Sequence, residues 1–292
     1  MQLLRLLIVP LLLAAPVLPA QEAEKAPPPA ADPDAPPLWS TTLAEAVERA
    51  RAIPNGRILV ELRDQSCPEC ERMEKLLYPS TSFVSFVTDK VPVTLRRGTP
   101  DGDLLLQRFR VRAVPAWLVV TPDLVLCGKQ EGASNQSTWI ERFVESEKGW
   151  AAFRVKLEAE KKTPDDLAAA YAVGEEAFRR FGDAMAEERF ARIVADPRAP
   201  TDLREKSLAS LASIALEARR FDDAEKALRQ ILTTTKDPVL REKAELRLVD
   251  VEVGRGERTK ATMLLTSFLE RHPDSPMRPQ AEALLNALAV KK

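Results

Sequence analysis

The sequence predicts an α/β domain with a mixed central sheet flanked by helices, followed by an all-α domain of repeated helical hairpins. Short apolar runs rich in β-branched residues alternate with amphipathic helical patterns as far as residue 148. Beyond that point, a pattern of small and large apolar residues recurs along the chain. A chain of 292 residues has room for about two domains. With 43 Lys and Arg against 44 Asp and Glu, nothing in the charge favours nucleic acid or an anionic membrane as a partner.

The first twenty residues predict export. Arg5 precedes an apolar stretch, and residues 1–20 end in a small residue before a polar one, which is typical of a secretory signal peptide. The apolar stretch falls short of the about 20 residues of a membrane span, and Pro10 and Pro16 interrupt it. An uncleaved anchor is the alternative, because Leu18 is a poor residue three positions before the expected cut. We therefore expect a periplasmic or extracellular protein.

Composition and periodicity divide the rest of the chain. The segment QEAEKAPPPAADPDAPP is rich in Pro, Ala and acidic residues and has nothing to bury, which predicts a disordered linker. The predicted organisation is a signal peptide at 1–20, a linker at 21–37, an α/β domain at 38–148, a helical connector at 149–163 and helical repeats at 164–292.

The α/β domain opens with a helix and a buried strand. Leu43, Ala46 and Ala50 recur at helical spacing and predict an amphipathic helix. Residues 58–62 form a nearly continuous apolar run, as expected for a central strand covered on both faces. Glu61 is the single acid within it.

A pair of cysteines begins the next predicted helix. Cys67-Pro68-Glu69-Cys70 precedes a helical face formed by Met73, Leu76 and Leu77. Pro68 suits the first helical turn, where its missing N–H would have no partner anyway. Cys67 is thereby placed at a helix N-terminus, where unpaired N–H groups and the helix dipole favour a thiolate.

The remaining elements complete a four-stranded sheet. Strands are predicted at 91–95 and 116–120, with a short helix at 103–109 between them. Residues 124–127 are predicted as the hairpin partner of the preceding strand. A closing helix begins at Thr138, and its sheet-facing residues are expected to be Trp139, Ile140, Phe143 and Val144.

Two segments carry a family resemblance. ILVELRDQSCPEC resembles the strand, loop and dithiol of thioredoxin-like proteins, and FRVRAVPAWLVVTPD resembles their cis-proline segment. The resemblance covers residues 38–148 and implies a thiol-disulfide oxidoreductase that needs no cofactor beyond its own Cys67–Cys70 disulfide. It implies that Cys67 attacks, that Cys70 resolves, that Glu61 is the buried acid assisting proton transfer, and that Pro115 is the cis-proline facing the dithiol.

The same resemblance suggests where a substrate would bind, and the sequence also departs from the family pattern. Val114, Pro68 and Glu69 are the expected substrate-contacting residues. Ser66 stands where an aromatic residue often precedes the dithiol, and Pro-Glu separates the cysteines. Glu69 should repel a Cys67 thiolate, but an exposed charge is too weak to decide the direction of electron flow.

Each of these residues has a plainer interpretation. The cysteine pair could be a structural disulfide or half of a metal site. A complete zinc site would need further ligands, and the sequence has one histidine, His272, and no second C-x-x-C. Glu61 could be a strand residue whose carboxylate reaches the surface at an edge. Cys127 is expected to be a buried, inert thiol. Five arginines form either a basic face near the dithiol or a solvated surface: Arg96, Arg97, Arg108, Arg110 and Arg112.

The second half of the chain is repetitive. A small residue followed by large ones at plus four and plus seven recurs three times, after 224 − 186 = 38 and 261 − 224 = 37 positions. The aligned sets are Ala186, Phe190, Ile193; Ala224, Leu228, Ile231; and Ala261, Leu265, Phe268. The pattern resembles tetratricopeptide repeats, whose period is about 34 residues, with 277–290 as a terminal capping helix. That resemblance implies a concave surface for extended peptides or partner domains, and purely structural packing is the alternative.

Together these patterns predict an extracytoplasmic thiol-disulfide oxidoreductase with a helical-repeat module that binds proteins. Its substrate would be a protein or peptide disulfide, with a partner protein on the repeats and membrane contact only through an uncleaved signal. The alternative is a non-enzymatic scaffold or chaperone that binds partner proteins.

Overall fold

A mixed four-stranded sheet with the order β2-β1-β3-β4 organises the first half of the described chain. The structure, a computed structural model, describes residues 39–290, so the predicted signal peptide and linker lie outside the described residues. Strand β1 pairs in parallel with β2, whereas β3 is antiparallel to both β1 and β4. The strands are β1 Arg57–Arg63, β2 Lys90–Arg96, β3 Ala116–Val120 and β4 Leu126–Glu131.

Helices cover both faces of this sheet. They are α1 Leu43–Arg51, α2 Pro68–Leu77, α3 Thr81–Val87, α4 Pro100–Arg108 and α5 Gln136–Lys162. Residues of α1 and α4 share one apolar cluster with Ile58, and residues of α2, α3 and α5 share another with Leu59. Adjacent residues of β1 therefore face opposite helical layers, which explains the nearly continuous apolar run. The predicted fold class, an α/β sheet domain followed by helices, is confirmed.

The hairpin strand β4 differs from its prediction. It begins at Leu126 and continues to Glu131, whereas residues 124–127 were expected. Leu124 has a positive φ of 55° and lies in the connecting turn. The prediction was wrong because it followed apolar character alone. The second half of β4 is polar and is held by pairing with β3, as in Val119 with Gly128.

The start of one helix and the buried faces of two others differ from their predictions. Helix α4 begins at Pro100 rather than at 103, because the Thr99 side chain caps the first turn by accepting from Gly102 N at 3.2 Å. Two residues expected on buried helix faces are exposed, Leu76 at 36% and Val144 at 45%. A helical stripe predicts which residues can be buried, and the neighbouring elements decide how wide the buried face becomes.

Seven helices form the rest of the described chain, and each packs against the next. They are α6 Leu167–Arg179, α7 Asp183–Ala195, α8 Thr201–Glu217, α9 Phe221–Thr234, α10 Pro238–Arg255, α11 Arg258–Arg271 and α12 Arg278–Val290. All nine residues aligned from the repeat pattern lie on α7, α9 and α11, and each is at most 2% exposed. None of the helices within residues 39–290 combines the length and apolar character needed to cross a bilayer.

The sheet and the first helical pair share a hydrophobic core. Helix α5 runs without a break through position 148, where the sequence predicted a boundary. Trp150 and Phe153 of α5, with Phe190 of α7, belong to the same apolar cluster as Trp117 of β3. Arg180, just after α6, accepts a backbone hydrogen bond from Leu126 N at 2.7 Å and so ties the helices to β4. Removing the helices from α6 onward would expose part of this core.

Candidate redox site

The two cysteines form a disulfide at the start of α2. Cys67 and Cys70 have Cα atoms 5.2 Å apart, within the usual range for a disulfide. Cys67 is the N-cap of α2, and Pro68 occupies the first helical turn as predicted. The Cys70 backbone N–H donates to Cys67 Sγ at 3.2 Å. Cys67 sulfur therefore takes the place of a capping oxygen, and the helix N-terminus is aimed at this sulfur, where it would stabilise a negative charge.

The two halves of the disulfide differ in exposure. Cys67 keeps 8% of its surface, whereas Cys70 is 0% exposed. The intervening Pro68 and Glu69 are exposed. A reagent approaching from solvent therefore reaches Cys67 first and cannot approach Cys70 without displacing packed side chains.

Glu61 is enclosed in the protein interior. It is 0% exposed, so the interpretation that its carboxylate reaches the surface is wrong. The Tyr78 hydroxyl donates to Oε2 at 2.7 Å, and the Thr94 hydroxyl donates to the same oxygen at 3.0 Å. Burial raises the pKa of Glu61, and the two hydroxyls with the positive charges of Arg63 and Arg96 only partly offset this effect.

Glu61 lies on the same side of the sheet as the dithiol helix. Leu59, two residues earlier on β1, belongs to the apolar cluster that contains the buried face of α2. Arg63, two residues later, forms an ion pair with Glu74 of α2. Side chains alternate along a strand, so Glu61 points into the same layer between β1 and α2. Cys70 is one of the three buried residues of α2 that face this interior.

Pro115 occupies the position that the sequence predicted for a cis-proline. The Val114–Pro115 bond is cis, and Pro115 is buried immediately before β3. Leu62 pairs with Ala116, so Pro115 lies next to Arg63 at the end of β1 from which the chain leads to Cys67. Val114 is half-buried against the opposite apolar cluster. The register thus brings the proline and the dithiol to the same edge of the sheet.

The charged residues around the site are largely paired. Glu69 forms an ion pair with Arg72 at 2.8 Å, which further weakens its effect on Cys67. Three of the five arginines bind acids on different elements: Arg97 to Asp64 at 3.2 Å, Arg108 to Asp183 at 3.8 Å and Arg110 to Glu217 at 2.8 Å. This dispersal favours the solvated surface over a common basic face.

Two observations concern the other polar groups of the site. Cys127 is a free thiol, 3% exposed, which confirms its predicted burial, and burial raises its pKa to about 12. Tyr78 and Thr94 were not anticipated as site residues. Thr94 could have been found only with the register of β1 and β2, in which it lies opposite Glu61.

The described residues offer a groove but no evident metal centre. Within residues 39–290, no group of three or more His, Cys, Asp or Glu side chains is arranged to hold a metal ion. A cavity of about 510 Å³ lies among α8, α9, α10 and α12, and none of its lining residues belongs to the elements that hold the disulfide. Its lining includes Ala212, Leu216 and Leu240. Lys243 adds a positive charge, whereas Arg247 forms an ion pair with Asp250, which also lines the cavity, at 3.5 Å.

The mixed sheet with helices on both faces matches a thioredoxin-like fold, which carries a C-x-x-C disulfide and is followed by an all-α region. No family model and no curated protein matches the sequence. Among solved structures, a thioredoxin from Thermus thermophilus is similar at 19% identity, over 38% of this chain and 87% of that one, with a TM-score of 0.34. A DsbH oxidoreductase is similar at 16% identity, over 39% of this chain and 86% of that one, with a TM-score of 0.33. A proposal for the chemistry of the site therefore rests on the residues of this chain alone.

Proposed function

We propose that the protein is an extracytoplasmic thiol-disulfide oxidoreductase acting on protein or peptide disulfides. The observation that carries this proposal is the asymmetry of the helix-capping disulfide, in which Cys67 keeps 8% of its surface exposed and Cys70 keeps none. That arrangement suits a first cysteine that reacts with an external partner and a second that reacts only internally.

The reaction proceeds in two exchanges. In the reduced protein, the Cys67 thiolate attacks a substrate disulfide, one substrate thiolate leaves, and a mixed disulfide forms. Cys70 then loses its proton to Glu61, attacks Cys67 Sγ and releases the second substrate thiolate as the internal disulfide forms. Two electrons pass from the dithiol to the substrate, and the two leaving thiolates take up protons. The opposite direction uses the same steps in reverse.

A purely structural disulfide is less well supported. The bond joins residues only 3 positions apart, and cross-links that close such short loops remove the least entropy from the unfolded chain. Cys67 also lies at the end of a helix next to solvent, where a cross-link joins no distant elements. A reactive pair accounts better for this placement.

The helical region is proposed as a tetratricopeptide-like module that binds the client or a partner protein. The regular burial of the repeat positions supports helical hairpins, and the groove offers apolar side chains beside the exposed ammonium group of Lys243. An extended segment with apolar and acidic side chains would complement that groove.

Export is proposed from the sequence of residues 1–20, and a disulfide is most persistent in an oxidising compartment. Contact with the membrane would then require that the signal remain uncleaved. The balanced charge of the chain gives no basis for nucleic-acid binding.

Insulin reduction coupled to a thiol reductant tests the redox proposal. Wild type should accelerate the reaction, Cys67→Ser should abolish turnover, and Cys127→Ala should retain it because Cys127 is enclosed and unpaired. An inactive wild type would contradict the redox proposal and favour a non-enzymatic scaffold.

The groove is tested by point substitution, since deletion of the helices would open the shared core. Lys243→Glu should weaken reduction of a protein client while leaving reduction of a small disulfide unchanged, and Lys226→Glu, on the exposed face of α9, is the matched control. If Cys67→Ser still suppresses client aggregation as well as wild type, a chaperone role is favoured for the helical region.

A further inference from the structure

The two carboxylate oxygens of Glu61 have different surroundings. Oε2 accepts hydrogen bonds from both Tyr78 and Thr94. Oε1 is buried and has no hydrogen-bond partner among the described residues. A buried oxygen without a donor is costly when charged and gains the most from binding a proton.

The two hydroxyls are held in place independently of Glu61. The Tyr78 ring packs between Trp39 and Phe83, with ring centroids 5.0 and 5.1 Å away. Thr94 lies opposite Glu61 in the parallel pairing of β1 and β2. Donors fixed in this way need no reorganisation when the carboxyl changes its charge.

Hydroxyl donors favour the ionised carboxyl, whereas burial favours the protonated one. Without the hydroxyls, the balance would move further toward the protonated carboxyl, which cannot accept another proton. With both in place, the two forms come closer in free energy, which a group that takes and returns a proton requires.

We propose that Tyr78 is a positioning residue of the redox reaction, which together with Thr94 holds Oε2 of Glu61 and leaves Oε1 to exchange the proton of Cys70. This rests on the proposed oxidoreductase function. During resolution, the S–H bond of Cys70 breaks, the proton passes to Oε1, and the electron pair remains on sulfur. That sulfur attacks Cys67 Sγ as the substrate thiolate leaves, and Glu61 later returns the proton to the leaving thiolate or to solvent.

Other charged groups face Glu61 and must stay constant in any test. Arg63 on β1 and Arg96 on β2 both favour its ionised form. Glu74 of α2 is paired with Arg63. Substitution of the Tyr78 or Thr94 hydroxyl leaves all three charges in place.

Stopped-flow reaction of the reduced protein with one equivalent of a small aromatic disulfide separates the two exchanges. The first release of coloured thiolate reports attack by Cys67, and the second reports resolution by Cys70. Tyr78→Phe should move the pH midpoint of the second release upward by about one pH unit, the effect of losing one hydrogen bond to a charged group. Thr94→Val should move it in the same direction.

The chain provides a matched control. Tyr171 also donates to a glutamate, Glu175, at 3.0 Å, but it lies on α6 in the helical region. Tyr171→Phe should leave the midpoint unchanged, and Tyr78→Phe should add nothing when Glu61 is already Gln. If Tyr78→Phe does not fold, Thr94→Val carries the same test.

The outcomes distinguish this inference from the function on which it rests. A wild type that gives no first release refutes both. A normal first release, with a second release whose pH midpoint is the same in wild type, Tyr78→Phe and Thr94→Val, refutes the positioning role alone. A shift that persists in the Glu61→Gln background also refutes it, because the hydroxyl would then act by another route.

Discussion

The Tyr78 hydroxyl donates a 2.7 Å hydrogen bond to the Glu61 carboxylate and so joins the C-terminal end of α2 to the central strand. Burial and the neighbouring carboxylate both raise the pKa of Tyr78, so this hydroxyl remains a donor throughout the physiological range. The helix that Cys67 caps is thus anchored at its C-terminal end by the acid proposed to serve the disulfide.

Glu61→Gln should stabilise the fold near neutral pH. The raised pKa of Glu61 means that its carboxyl costs stability as pH rises from the unfolded-state value near 4.5 through the folded-state value. Gln removes that cost, with an expected gain on the order of 1 kcal/mol at neutral pH. Urea unfolding at several pH values checks this, and the difference between variant and wild type should disappear below the unfolded-state pKa. A Gln variant less stable than wild type at neutral pH would contradict it.

Thiol labelling should distinguish all three cysteines. In the oxidised, folded protein we expect no label, because Cys67 and Cys70 are bonded and Cys127 is 3% exposed, with its pKa raised by burial to about 12. Unfolding without reductant should expose one thiol, Cys127, and reduction before unfolding should expose three. After reduction without unfolding, Cys67 should react first. Mass spectrometry of tryptic peptides gives the sites, and rapid labelling of folded Cys127 would be the contrary result.

The contact between α5 and α7 depends on Glu160. This residue is 4% exposed and accepts from Arg189 at 2.8 Å and Arg192 at 2.7 Å. Burial tends to raise its pKa, but the two arginines outweigh burial and lower it. Glu160→Gln should destabilise the protein by about 2 kcal/mol, less than for a fully buried pair because Arg192 is 40% exposed.

Acid should reduce that difference, because a lowered pKa contributes stability that is lost as pH falls through the folded-state value. Glu158→Gln, on the same helix and paired only with exposed Lys161, is the matched control and should change little. Equal losses in the two variants, measured by urea unfolding, would argue against a specific role for Glu160.

Two helical glycines should respond differently to Ala. A Cβ on Gly174 of α6 would lie 2.9 Å from the ring of Phe190, which is 0% exposed and cannot move aside. A Cβ on Gly254 of α10 would lie closer still, 2.2 Å from the ring of Phe221, but that ring is only partly buried, so we expect it to turn aside. We expect Gly174→Ala to lower the free energy of unfolding by about 1 kcal/mol, because overpacking against Phe190 outweighs the better helix propensity of Ala.

Gly254→Ala should leave stability unchanged or raise it slightly, because Ala has the higher helix propensity and the Phe221 ring is expected to move aside. Thermal unfolding of both variants checks the pair. If the Gly254 variant loses as much stability as the Gly174 variant, the overlap with the ring, rather than the ring's freedom to move, determines the loss of stability.

Local features of the chain were predictable from their own residues. The strand at 58–62, the dithiol at a helix start and the buried positions of the repeats each follow from periodicity or helix-end chemistry within a few turns of chain. The cis bond before Pro115 was expected from the family resemblance. Apolar character alone was insufficient for β4, where pairing rather than composition holds the polar half.

Amino-acid order alone was enough to place an acid inside a buried strand and a pair of cysteines at the N-terminus of a helix. Which groups surround that acid was decided in three dimensions, because Thr94 reaches Glu61 only through strand register, and Tyr78 only through the packing of α2 on the sheet. The common core of sheet and helices has the same origin: Trp117 and Phe190 are far apart along the chain. The hydrophobic effect favours burial of such side chains, and the fold determines which other side chains each one contacts.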